Sequence, residues 1–319
     1  LRTSFRGVDM AKIGFVFPGQ GSQKQGMLAE LAAENPTVLD TFTRASEVLG
    51  TDLWSICQSD PDSSLNQTEI TQPVLLAASV AVGTLWLERG GPRPAVMSGH
   101  SLGEYSAYVA AESLGFEEAL TLVSLRAKFM QEAVKEGEGG IAAIIGLNYS
   151  ELLNICNEIT DNGDLVSMAN INSENQIVIS GTKIAVDKAI EICKHKGAKR
   201  AIPLAMSVPS HCKLMTPASI KFSEEINKID FFPPKTQILQ NFSVSHSNDL
   251  NVIKENLVSQ LYSPVRWSEI MDFFEKTQIT NLYECGPAKV LTGLVKKRFR
   301  DIEISSLSDY DALNTLKNV

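Results

Sequence analysis

The sequence predicts an α/β fold: a larger domain on a mostly parallel sheet, interrupted by a smaller βαββαβ unit of ferredoxin-like order. Three observations predict it. Short apolar runs ending in glycine- or proline-bearing loops alternate with helical segments, as at Ile13–Phe17 before Pro18-Gly19 and Ala95–Ser98 before Gly99. The pattern then resets at Gly137-Glu138-Gly139-Gly140. Strand–helix alternation resumes after Ser207.

In order, Ile13–Phe17 (IGFVF) is β-branched and aromatic, and predicts a buried strand. Polar helices follow to Leu49, then an apolar helix over 73–87 and a short strand over 95–98. Helices are expected over 104–112 and 117–134. The inserted unit reads as strand 141–145, helix 150–159, strands 165–169 and 176–180, helix 182–196 and strand 199–204. A helix to Ile229, strand 237–242, helices through Lys276, strand 281–285 and a helix after Pro287 complete the chain. The expected division is residues 10–136 with 206–319 for the larger domain and 137–205 for the insert. Residues 1–9 (LRTSFRGVD) precede Met10 and read as an expression remnant outside the fold.

Composition narrows the function classes. The 319 residues carry 29 Lys+Arg against 37 Asp+Glu, a net charge of −8 that argues against a general nucleic-acid binder. Cys57, Cys156, Cys193, Cys212 and Cys285 form no CxxC pair, so neither a zinc ribbon nor a disulfide framework is indicated. Reduced thiols point to the cytoplasm. The longest apolar stretch, Val74–Leu87, is shorter than a membrane span and reads as a core helix.

The sharpest local signal is Gly99-His100-Ser101-Leu102-Gly103, a GxSxG segment between a strand and a helix. A serine on such a turn projects its hydroxyl above the sheet, as in α/β-hydrolase-like domains, and the flanking glycines let strand and helix approach closely. The helix behind Ser101 aims its N-terminal amides at a developing oxyanion. A base must accompany the nucleophile. His195 lies in a Lys-rich helix, His246 in a polar loop, and His100 is adjacent to Ser101 and so directed away from its hydroxyl. His211, in a loop at the re-entry to the larger domain, is the candidate that pattern alone leaves open.

Two further features are ambiguous by themselves. The loop Pro18-Gly19-Gln20-Gly21-Ser22-Gln23 matches neither GxGxxG nor a phosphate-binding Gly-Lys-Ser/Thr loop. It could instead supply a second oxyanion amide. Arg126 shares one helix face with Leu122 and Met130. Spacing favours an arginine whose head reaches solvent over one held in the site to grip a carboxylate.

FVFPGQGSQ (15–23), GHSLGEYSA (99–107), LRAKFMQEA (125–133) and SVPSHCKLM (207–215), extended by QLYSPVRW (260–267) and YECGPAKVLTGL (283–294), together resemble the malonyl-CoA:acyl carrier protein transacylases of bacterial type II fatty acid synthesis. The resemblance spans residues 10–300. It implies Ser101 as the acylated nucleophile, His211 as its base, and Gln260 as the residue whose main-chain carbonyl orients that histidine. It also implies Gln20 and Leu102 as oxyanion amides, Arg126 as the partner of the malonyl carboxylate, and Met130, Asn170 and His100 at the substrate site. The implied partners are malonyl-CoA and holo acyl carrier protein, with no metal or redox cofactor, nucleic acid or membrane.

The expected reaction is a ping-pong acyl transfer through malonyl-Ser101. Two rivals stand beside it: a serine esterase or thioesterase of the α/β-hydrolase type, for which Asp187 is the available acid, and a silent carrier-docking subunit. A carrier protein is acidic, so a chain of net charge −8 needs a local basic face. Lys194, Lys196, Lys199, Arg200 and Lys296-Lys297-Arg298 are the candidate clusters.

Overall fold

The computed structural model describes residues 12–60, 62–205, 208–299, 301–309 and 313. The expected remnant at 1–9 and the boundary residues Met206 and Ser207 lie outside the described residues.

The chain begins with β1 (Ile13–Phe17), followed by α1 (Ala29–Glu34), α2 (Pro36–Leu49), α3 (Leu53–Ser59) and α4 (Thr68–Glu88). Next come β2 (Val96–Gly99), α5 (Gly103–Ala110) and α6 (Phe116–Ala133). The insert runs β3 (Gly139–Ile145), α7 (Tyr149–Asp161), β4 (Val166–Ser173), β5 (Gln176–Thr182), α8 (Lys183–His195) and β6 (Arg200–Pro203). A 3₁₀ turn (Lys213–Met215) leads into α9 (Thr216–Ile226), β7 (Gln237–Leu239), α10 (Leu250–Ser259), α11 (Trp267–Lys276), β8 (Asn281–Glu284), α12 (Val290–Arg298) and β9 (Glu303–Ser306).

Two sheets result. One has the order β7-β2-β1-β8-β9 and is parallel throughout; the other has the order β4-β5-β3-β6 and is antiparallel. β1 is buried on both faces, as a central parallel strand must be. Ile13, Phe15 and Phe17 enter a core formed with α2, α4, α5 and α6, whereas Val16 points to the opposite core around Trp267, Ile270 and Phe274. The antiparallel sheet packs α7 and α8 over a separate apolar cluster that includes Ile144, Ile155, Ile179 and Ile190.

Four elements depart from expectation. α3 (Leu53–Ser59) falls in a stretch where no helix was expected, started by Asp52, whose side chain accepts from the Ser55 amide. The apolar helix begins at Thr68 rather than Pro73, because Thr68, Thr71 and Gln72 are polar residues turned inward. It is long and apolar enough to cross a membrane, yet 78% of that window is buried inside the fold. β7 stops at Leu239, since Gln240 and Asn241 leave the strand to make side-chain hydrogen bonds. β9 was not expected. It is a four-residue edge strand whose inward Ile304 and Ser306 are too short a pattern to register.

One feature places the insert relative to the site. Beyond a register shift between Met168 and Asn170, β4 bonds to Val265, in the segment between α10 and α11. The Ile171 amide donates to the Val265 carbonyl (2.9 Å) and the Val265 amide to the Ala169 carbonyl (2.8 Å).

Candidate active site

The nucleophile turn is built from close backbone approach. A Cβ on Gly99 would lie 1.8 Å from the Gly103 carbonyl carbon, and one on Gly103 would lie 2.1 Å from the Phe17 carbonyl oxygen. Only glycine allows β2 and α5 to meet so tightly above β1. Between them Ser101 adopts φ 53°, a left-handed conformation that a non-glycine residue holds only when its surroundings impose it. Asn241 imposes it from both sides. Its carboxamide accepts from the Ser101 amide (2.7 Å) and donates to the Gly99 carbonyl (2.6 Å).

The Ser101 hydroxyl meets His211 Nε2 at 2.7 Å, and His211 Nδ1 donates to the Gln260 main-chain carbonyl at 2.8 Å. That second bond fixes the tautomer, leaving Nε2 with the lone pair that accepts the serine proton. His211 is itself at φ 62°, with its amide bonded to the Leu261 carbonyl (3.0 Å). Burial, and then the positive charge of Arg126, lower the imidazole from 6.5 to about 3. It is therefore neutral at neutral pH. The acid limb of acyl-enzyme formation should lie below 6.5, measured by rapid-quench labelling across pH; a limb at or above 6.5 would contradict this environment. Stability shifts with the same sign. Between 6.5 and about 3 the unfolded chain binds a proton that the folded chain does not, so acid destabilises the fold there.

Arg126 is buried, not snorkelling: α6 is covered on that face, and 1% of the residue is exposed. Its guanidinium donates to Gln72 Oε1 (2.6 Å), Gln260 Oε1 (2.9 Å) and the Ser101 hydroxyl (3.3 Å), with Tyr105 stacked beneath. Among the described residues no carboxylate lies within ion-pair distance of it. A buried cation held by neutral amides is an open socket for an anionic group beside the serine.

These groups line a cavity of about 260 Å³ that also touches Gln20, His100, Leu102, Met130 and Asn170. Gly19 packs on the nucleophile turn, where a Cβ would stand 2.4 Å from the His100 carbonyl oxygen, so the loop after β1 abuts Ser101. His100 turns away and bonds Asn172 Oδ1 (2.9 Å) through Nε2. Val290, Leu294 and Lys297 of α12, with Val178 and Leu204, contribute further to the walls.

Every candidate site residue thus reaches one cavity or its immediate wall, Gln260 through its contacts with His211 and Arg126. His195 and His246 are exposed, and Asp187 pairs with Lys183 on the surface, so the acid of the hydrolase rival is not beside His211. Sequence reasoning missed Asn241, Gln72, Glu104 and Asn172. Gln72 interrupting an otherwise apolar helix was the available hint; nothing local marked Asn241.

This geometry of serine, neutral histidine and paired backbone loops defines an acyl-transferring site, and the chain belongs to the acyl transferase family: a family model described as an acyl transferase domain matches residues 14–311. Within it the chain is 49% identical to the malonyl CoA-acyl carrier protein transacylase of Salmonella typhimurium, over 96% of this chain and 98% of that protein. It is 43% identical to the Bacillus subtilis protein of the same name, over 97% of this chain and 98% of that one. The solved structure of the Coxiella burnetii transacylase superposes with a TM-score of 0.94 at 47% identity, covering 96% of each chain. A malonyl-transacylase in complex with a type II PKS acyl-carrier protein superposes equally well (TM-score 0.94, 47% identity, 97% and 100% covered).

Proposed function

We propose that this chain moves a malonyl group from malonyl-CoA to the phosphopantetheine thiol of acyl carrier protein, supplying extender units for fatty acid synthesis, by a ping-pong route through malonyl-Ser101. The observation that carries the acyl preference is the buried, carboxylate-free guanidinium of Arg126 at 3.3 Å from the Ser101 hydroxyl. His211 takes the serine proton as Oγ bonds to the thioester carbon, and the amides of Gln20 and Leu102 receive the oxyanion. Collapse breaks the C–S bond, and CoA leaves as the thiol with the proton from His211. The carrier's thiol then repeats the sequence in reverse, giving its proton to His211 and freeing Ser101. Met130, Asn170 and His100 shape the acyl site.

The finer fold reading belongs to the same proposal: an α/β-hydrolase-like domain of residues 10–136 and 206–319, and a ferredoxin-like subdomain of residues 137–205. The strand order β4-β5-β3-β6 and the insert's separate apolar cluster support it. A cytoplasmic location is supported by five free, buried cysteines.

Incubation with malonyl-CoA followed by intact-mass measurement should show one malonyl increment, which then moves to added holo carrier protein. No increment, or release of malonate without carrier as fast as transfer with it, would overturn the assignment; the second outcome is that of the hydrolase. For carrier docking, α12 is favoured among the basic clusters. Lys196, Lys199 and Arg200 are exposed as Lys296 is, but of the two clusters only that on α12 supplies a residue to the cavity, Lys297, next to Lys296. Lys296→Glu should raise the apparent KM for carrier protein and leave that for malonyl-CoA unchanged; equal effects on both would refute docking there.

A further inference from the structure

Glu104, in the first turn of α5, is 1% exposed and touches no group that reacts. Burial raises its carboxyl to about 8. One oxygen, Oε1, has no partner among the described residues, and the other accepts from the Gln260 carboxamide. An acid so placed is costly unless it orders something.

What it orders is the direction of one amide. Gln260 Nε2 donates to Glu104 and to the Ser101 carbonyl (3.0 Å), so its Oε1 must face Arg126 (2.9 Å). Rotating the carboxamide by half a turn would set its NH₂ against the guanidinium, donor to donor, and its oxygen against two acceptors. Glu104 Oε2 is an acceptor whether the acid is ionised or neutral, so the seat does not depend on its charge. Among the described residues Arg126 has only Gln72 as its other amide anchor, and its Nε has no hydrogen-bond partner.

We propose that Glu104 is a positioning residue for acyl selection: by seating the Gln260 carboxamide it holds the Arg126 guanidinium over Ser101. This rests on the reading of Arg126 as the malonyl anchor. Without the seat, Gln260 Nε2 keeps only the Ser101 carbonyl as acceptor, so the carboxamide is held less firmly and one of Arg126's two amide anchors loosens. The guanidinium's aim at an incoming carboxylate is lost, while an acyl group without a carboxylate is indifferent to it.

The test compares kcat/KM for malonyl-CoA and acetyl-CoA in the full chain. Glu104→Ala should lower the malonyl-to-acetyl ratio by about tenfold or more, the scale of one misdirected buried hydrogen bond. Glu104→Gln, which keeps an acceptor for Gln260, should hold that ratio to within about threefold. Gln260→Met keeps the main-chain carbonyl on His211 and should reproduce the loss, and adding Glu104→Ala to it should lower the ratio no further. If Glu104→Ala does not fold, Glu104→Met, which fills the same buried space without a carboxyl acceptor, takes its place in both comparisons.

Equal losses on both substrates in Glu104→Ala, or a Glu104→Gln as impaired as Glu104→Ala, would overturn the proposal. So would effects that multiply in the double variant. Arg126→Ala in the same series separates the two levels. A ratio it leaves unchanged removes the anchor reading itself, whereas a ratio that falls in Arg126→Ala but not in Glu104→Ala or Gln260→Met removes only the role of Glu104.

Discussion

Ser101→Ala should abolish the malonyl-enzyme and lower transfer by about four orders of magnitude or more, the scale on which a covalent nucleophile is lost. The turn should survive the change. Its clamp from Asn241 acts on the main chain of Ser101 and Gly99, and its tightness comes from Gly99 and Gly103. The remaining strain, an alanine in the left-handed region, costs about 1 kcal/mol and was already present with serine. Nearby hydroxyls are committed elsewhere: Ser98 to the Leu239 carbonyl and Ser22 to the Gly19 carbonyl. Intact mass after incubation with labelled malonyl-CoA reads the outcome, and label persisting in Ser101→Ala would place the nucleophile at another residue.

Arg126→Ala should invert acyl preference, lowering malonyl transfer by about 10²–10³ while acetyl transfer is kept or rises. The asymmetry follows from burial. In the intact site an uncharged acyl group leaves the guanidinium facing an empty place where an anion would sit; without the arginine that penalty is gone for acetyl and the attraction is gone for malonyl. Arg126→Lys should not restore malonyl transfer, because a point ammonium cannot span Gln72, Gln260 and a carboxylate as the planar fork does. Competition between malonyl-CoA and acetyl-CoA in one vessel measures the ratio directly, and an unchanged ratio would remove Arg126 from selection.

Much of the frame was legible because short-range chemistry dictates it. Ile13–Phe17 is a strand because five consecutive apolar residues can be buried on two faces, and the glycines of GHSLG are where they are because any Cβ would collide. Arg126 was misread by spacing alone. Helical periodicity tells which residues share a face, not which neighbours cover that face, and here α4 and α9 pack against α6. Its role came into view only through the resemblance of whole segments. Asn241 and Glu104 were illegible for another reason. Each acts across more than 130 residues of chain, on Ser101 and Gln260 respectively, and a lone polar residue near the end of a strand or in the first turn of a helix has nothing local to mark such a reach.

The two main-chain bonds between β4 and Val265 tie the insert to the stretch that begins at Gln260. That stretch is gripped at its other end by the histidine and the arginine. The wall formed by the insert and the proton acceptor therefore share one short span of backbone, like the jaw and the pivot of a vice cut from a single bar. The residues that fix the position of that wall and the carbonyl that aims His211 thus lie within six residues of one another, 260–265.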